Sequence, residues 1–220
     1  TKYFDCGFHY NVTGSANDWT GTEIPMDNYV NSSGTAAAYT DSAIIPSAVG
    51  SAYGQVSGNR YAIKKIRIRG QVTREATSGI TTVQDGYTAR VMLIHDTAPN
   101  GSQAQGEDIM QDVGADETLF SYKRMAAEGS RFRILKDEIL NLEPATAVNN
   151  ASASTISVAF KRGEFQFQYV PKEPIVVNIK SGNSTPTIAG LVNHNFFMLV
   201  HSGGDNLEVR GATRCYYVDL

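Results

Sequence analysis

From Lys65 onward the chain alternates strictly. Ile66, Ile68 and Val72 point one way, and Lys65, Arg67 and Arg69 point the other. A period of two marks a half-buried β-strand, here with one apolar and one cationic face. The predicted strand spans 61–74. Like charges stacked on one face repel one another. The row is therefore either a solvated face whose charges pair with nearby acids, or a wall that faces a polyanion.

Comparable patterns follow. Residues 86–97 are apolar on both faces. Arg131 and Arg133 alternate with Phe132 and Ile134. Ile156, Val158 and Phe160 alternate with small polar residues, and Phe165, Phe167 and Tyr169 alternate with Glu164, Gln166 and Gln168. A short strand at 175–179 follows Pro171 and Pro174. Residues 193–201 are apolar on both faces and read as a central strand. In the last strand, 207–218, Arg210 and Arg214 share a face opposite Val209, Cys215 and Tyr217. Roughly eight strands with turn signals between them predict an antiparallel sandwich or barrel. Residues 1–12 read as a short first strand or an ordered arm. The segments 13–58, 98–129 and 143–154 are irregular, with a short helix expected within 116–128.

Composition narrows this. A chain of 220 residues suits one large β domain. The net charge is -3, so the whole chain does not attract nucleic acid and any such attraction must be local. Cys6 and Cys215 are the only cysteines; they make no disulfide framework and read as buried free thiols. No apolar run reaches the length of a membrane span, and no signal peptide is expected.

Catalytic patterns are missing. His194 and His201 lie seven apart on one strand, so they face opposite ways and cannot share a metal. With His9 and His95 they form no His-x-His pair, and there is no Cys-x-x-Cys, phosphate loop or nucleophile elbow. The acids Glu107, Asp108, Asp112, Asp116 and Glu117 lack the spacing of a calcium loop and read as a solvated acidic stretch. No metal, cofactor or enzymatic activity is expected.

Several segments carry a resemblance. Gly58-Asn-Arg-Tyr-Ala-Ile-Lys-Lys-Ile-Arg-Ile-Arg-Gly70 resembles the opening of the core in capsid proteins of small circular, Rep-encoding single-stranded DNA viruses, the circovirus-, genomovirus- and geminivirus-like groups. Arg90-Val-Met-Leu-Ile-His-Asp96, followed by a Pro-Asn-Gly turn, is similar to their second core strand. Ser130-Arg-Phe-Arg-Ile-Leu-Lys-Asp137 resembles their Arg-Phe-x-(Val/Ile)-Leu-(Lys/Arg)-Asp motif. Arg214-Cys-Tyr-Tyr-Val218 is similar in placement to the final aromatic strand. The likeness runs from residue 58 to the C-terminus. Each motif is short; their order and spacing make the case. Such proteins carry an Arg-rich arm ahead of the core, and residues 1–57 hold no such run.

The resemblance implies an all-β, eight-stranded single jelly roll: two packed four-stranded antiparallel sheets with long loops. It divides the chain into a packed N-terminal extension, 1–57, and a jelly-roll capsid domain, 58–220. Lettered from 61–74 as B, the strands are C 87–96, D 130–137, E 155–161, F 164–170, G 175–180, H 193–201 and I 207–218. B, I, D and G share one sheet, and C, H, E and F the other. Lys65, Arg67, Arg69, Arg131, Arg133, Arg210 and Arg214 would then share one outer face and hold phosphates without reading sequence. Tyr216, on the side of Arg210 and Arg214, would stack unpaired bases. Glu208, Asp137 and Glu138 are the acids expected to offset the stripe.

The implied function is self-assembly into a small icosahedral shell (T=1, ~60 copies) that encloses single-stranded DNA. The partners would be other copies of the chain and the genome, with no membrane. The location would be the virion, with assembly in the host nucleus. One alternative is the coat protein of a small RNA virus or satellite, alike in fold and lining. Another is a β-sandwich binding module such as a lectin, in which charge would not line one sheet.

Overall fold

The computed structural model of the chain describes residues 1–12, 23–24, 49–50, 55–74, 87–102, 104, 106–111, 120, 122–123, 131–142, 146–148, 157–159, 162–182, 188–202 and 207–220. Its centre is β3 (Arg60–Arg74), the strand whose alternation opens the sequence. Along one side β3 pairs antiparallel with β11 (Leu207–Asp219), which pairs in turn with β1 (Lys2–Val12). Along the other side it pairs first with β9 (Ile175–Asn178) over Arg60–Ile63, then with β8 (Gly163–Tyr169) over Ile66–Val72. The break between β8 and β9 falls where Pro171 and Pro174 withhold the backbone donors that a continuous ladder needs.

The second sheet has the order β2-β10-β4-β5, formed by Glu23–Ile24, Asn195–Ser202, Tyr87–Asp96 and Phe132–Leu142. A separate ribbon joins β6 (Thr146–Val148) to β7 (Ser157–Ala159). The helix α1 is a single turn, Gly106–Ile109.

Written as β1-β11-β3-β8 and β2-β10-β4-β5, these orders are the B-I-D-G and C-H-E-F sheets of a jelly roll with β1 as strand B. The all-β jelly roll is therefore the fold, but the expected lettering started two strands too late. Residues 1–57 contribute β1 and β2 to the sheets themselves. The segment 61–74 is strand D and not B. The segment 130–137 falls in the second sheet beside β4, and 164–170 falls in the first beside β3. The described part of 155–161 belongs to the small ribbon. The helix expected within 116–128 lies almost wholly outside the described residues.

The core lies between the sheets. Ile66, Ile68 and Val72 of β3 and Val209 and Cys215 of β11 are fully buried there, facing Val91 and Leu93 of β4 and Met198 and Val200 of β10. Each such side chain contributes about 1.5–3 kcal/mol by leaving water. Lys65, Arg67 and Arg69 turn outward, as the alternation predicts. Phe132 is buried elsewhere. With Met92, Ile94, Phe197 and Leu199 it forms a second cluster on the far face of the second sheet, roofed by Ala104, Ile109 and Met110 of the 98–129 insertion, with Ile134 packed against it. A strand apolar on both faces is needed where both faces are covered. Cys215 is buried, and its cross-strand neighbour on β1 is Phe4; the Cys6 side chain is outside the described set.

One cross-strand row fixes how closely the first sheet can be packed. Phe8, Gly211, Gly70 and Phe165 are aligned across β1, β11, β3 and β8. A Cβ on Gly211 would overlap the Phe8 ring and the Arg69 carbonyl, and one on Gly70 would overlap the Phe165 ring. The rings thus occupy the space that side chains at the glycines would fill. Gly211→Val should lower stability by about 1–3 kcal/mol through overpacking, whereas Ala212→Val, exposed on the opposite face, should stay within about 0.5 kcal/mol. Urea midpoints at unchanged m-value measure both.

Candidate nucleic-acid interface

The outward face of the first sheet is a grid set by its register. Successive rows read Tyr3, Tyr216, Lys65; then Asp5, Arg214, Arg67, Gln168; then Gly7, Ala212, Arg69, Gln166; then His9, Arg210, Gln71, Glu164. Lys65, Arg67, Arg69, Arg210 and Arg214 therefore share one face, as the sequence implies. Tyr216 stands among them, with Lys65 Nζ and Arg67 Cζ each 5.9 Å from its ring centroid. Tyr3 lies beside it, 6.0 Å between centroids.

Charge on this face is unevenly answered. Arg214 makes a two-pronged bond to Asp5, Nε to Oδ1 and Nη2 to Oδ2 at 2.6 Å each, with its guanidinium 4.2 Å over the Tyr3 ring. Hydrogen bonds with Asp5 and Tyr216 hold the guanidinium pKa above its usual value. Arg210 bonds Glu208, and so does His9, Nε2 to Oε1 at 2.6 Å. Burial pushes the Glu208 carboxyl up, but the bonds from Arg210 and His9 outweigh it and leave its pKa below the usual value. Lys65, Arg67 and Arg69 have no carboxylate partner among the described residues. Arg67 faces Arg214 directly across the ladder; the two like charges lean apart, Arg214 to Asp5 and Arg67 to Gln168 Oε1 at 3.2 Å.

Beyond Arg69 the face opens into a groove of about 510 Å³, lined by Arg69, Gln71, Glu164, Gln166 and Arg210 over the backbone of Gly70 and Gly211. Gly7 and Ala212 leave the ground beside Arg69 low.

Arg131 and Arg133 do not join this face, because the strand they introduce belongs to the second sheet. Arg131 makes a bidentate pair with Asp96 at 2.8 Å, and Asp96 is 1% exposed. That pair ties the end of the insertion to the end of β4, helped by Thr97 Oγ1 donating to the Arg131 carbonyl at 2.9 Å. Arg133 is exposed at the same end of the roll. Of the acids expected to offset the stripe, only Glu208 does so. Asp137 instead pairs with Arg90 on the far face of the second sheet, at 2.8 and 2.6 Å. Asp5, on a strand 209 positions away from Arg214, is the partner that local sequence could not reveal.

The histidines also come together in an unforeseen way. His95 Nε2 and His194 Nδ1 are 3.0 Å apart, the His95 ring stacks on Phe196, and His194 takes a left-handed backbone with φ 56°. Burial, then the neighbouring His194 and Arg133, lower the His95 pKa to about 4. Burial and Arg90 lower that of His201 to about 4. No cluster of His, Cys, Asp or Glu among the described residues could hold a metal ion.

No family model matches the chain, and no curated protein does. Among solved structures it is similar to one titled "Crystal structure of 60-mer BFDV Capsid Protein", with a TM-score of 0.35 and 8% identity over 98% of this chain and 91% of that one. Similarity at that level does not by itself assign a role.

Two outcomes follow from the ion pairs and histidines. Asp96→Ala should cost about 3–5 kcal/mol, since it leaves Arg131 partly buried without its counter-charge; the far more exposed Glu164→Gln should change stability little. Denaturant titration compares them. Because His95 and His201 have lower pKa values folded than unfolded, the unfolded chain takes up their protons first. Stability should therefore be full above pH 6.5 and fall as pH drops toward 4, by on the order of 1–3 kcal/mol for each histidine. A His95→Gln/His201→Gln double variant should lose less stability over that window than the parent, as read from urea midpoints at pH 7, 5.5 and 4.5.

Proposed function

We propose that this chain is a viral capsid subunit that closes with copies of itself into a shell, with the outward face of the first sheet turned to the interior and holding nucleic acid. The observation that bears most weight is the row Lys65, Arg67 and Arg69, which has no carboxylate partner among the described residues while Arg210 and Arg214 on the same face do, in a chain of net charge -3. A surplus held against the charge of the whole molecule needs an external anion, and phosphate contacts of this kind are independent of sequence. The jelly roll is suited to the role, with long segments between strands to supply subunit contacts under closed symmetry. The motifs at 58–70, 90–96 and 130–137 favour the capsids of small single-stranded DNA viruses, with a T=1 shell and a virion location. The role is structural and not enzymatic.

The test has two stages. Size-exclusion chromatography and negative-stain microscopy should show shells of uniform diameter; a stable monomer at high concentration and physiological salt overturns the proposal. Purified shells of the Lys65→Gln/Arg67→Gln/Arg69→Gln variant should then form normally but show a lower ratio of absorbance at 260 and 280 nm than the parent. Exposed substitutions of this kind leave fold stability within about 0.5 kcal/mol, so a changed ratio reports on cargo. DNase and RNase sensitivity after disruption identifies the nucleic acid.

A further inference from the structure

The strand rises about 3.3 Å per residue, so Lys65, Arg67 and Arg69, two apart on one face, stand about 6.6 Å from each other. That is close to the through-space spacing of successive phosphates in a drawn-out single strand and along one strand of a duplex alike, so the row fits either. The base sites at its two ends, the Tyr216 ring and the groove, are what call for unpaired bases.

The flanks confine such a strand. On the β11 side Arg214 and Arg210 are engaged by Asp5 and Glu208, and a phosphate there would meet a carboxylate. On the β8 side stand Gln168 and Gln166, neutral amides that both donate and accept. At the Lys65 end the Tyr216 ring offers a face for a base, bracketed by Lys65 and Arg67. At the Arg69 end lies the groove of about 510 Å³ with Gln71 and Gln166 on its walls and Glu164 at its margin. A carboxylate there repels phosphate, while the amides can bond the edge of any base.

We propose that a single, extended nucleic-acid strand runs along β3, with successive phosphates on Lys65, Arg67 and Arg69, one base against Tyr216 and another in the groove beyond Arg69. This rests on the reading of the face as a nucleic-acid surface, and adds that the cations of β3 alone take phosphate while Arg210 and Arg214 of β11 are silent.

The test uses the purified chain and fluorescein-labelled oligothymidylate of about six nucleotides, against a duplex of the same length, in anisotropy titrations across salt. Three phosphates on a single strand predict a slope of log K against log salt near −2, at ~0.7 per contact. Lys65→Gln, Arg67→Gln and Arg69→Gln should each make it shallower by ~0.7. Gln71→Ala and Gln166→Ala should weaken binding several-fold at unchanged slope. Asp5→Asn/Arg214→Gln, which removes a pair and leaves net charge unaltered, should leave both affinity and slope as they were, and the duplex should bind more weakly at every salt concentration. If the Asp5/Arg214 variant loses as much slope as Arg67→Gln, or the duplex binds as tightly as the single strand, the β3 track is wrong while the nucleic-acid face stands. If neither probe binds, both fall.

Discussion

The cations on β3 face outward because the alternate side chains of that strand are committed to the core. Ile66, Ile68 and Val72 are fully buried, and β3 is paired along both edges, with β11 on one and β8 and β9 on the other. A slip of one residue would move Lys65, Arg67 and Arg69 between the sheets. There each would be a buried charge without a counter-charge, costing several kcal/mol. Apolar gain and charge penalty thus select the same register. Because the β3–β11 ladder is regular from Lys65 to Arg74, its one shift falling between Tyr216 and Tyr217, the registers of β11 and β1 follow there, and with them the positions on the outward grid.

Given that grid, the division of charge across it has a local cause. Arg67 and Arg214 oppose each other, which is unfavourable unless one is drawn away. Asp5 on β1 draws Arg214 toward the sheet edge, over Tyr3. Glu208, two residues before Arg210 on β11, engages that arginine and shares its carboxylate with His9. Among the described residues, the acids that pair with this face sit on β1 and at the Leu207 end of β11, and none pairs with the cations along the middle of β3. The first strand therefore does more than close the sheet: through Asp5 it engages Arg214.

That role explains what the sequence shows and what it hides. The alternation at 65–72 and 207–217 was enough to place five of the cations and Tyr216 on one face, because period two within a strand is local information. The partner of each strand is not. Arg131 and Arg133 have the same alternation as Arg67 and Arg69, but their strand pairs with β4, and pairing is set by sheet order, which no single segment encodes. Strand β1 was legible in part: Phe4 and Phe8 alternate with Tyr3, Asp5 and His9, yet two glycine and cysteine positions weaken the pattern, and a β2 of only two residues leaves no period to read. The meeting of His95 with His194 depends on the pairing of β4 with β10 and on a left-handed residue just ahead of β10.

The ion pairs of this protein fall into two kinds by burial, and the difference bears on function. Asp96–Arg131 and Arg90–Asp137 each bury at least one partner, so breaking either strands a charge in a poorly solvated place. Those pairs act as fixed joints around the insertion and the far face of the second sheet. Arg214–Asp5 and Arg210–Glu208 lie in water, where screening makes such pairs weak and exchangeable. Weakness does not make their arginines free for phosphate. An incoming phosphate could displace the carboxylate only by leaving it alongside as a like charge, on the next strand for Asp5 and two residues away on the same strand for Glu208. Recruiting Arg210 or Arg214 thus gains one attraction and adds one repulsion, whereas Lys65, Arg67 and Arg69 add attraction alone. The proposed preference for β3 rests on which acids already stand beside each cation, more than on where the cations themselves stand.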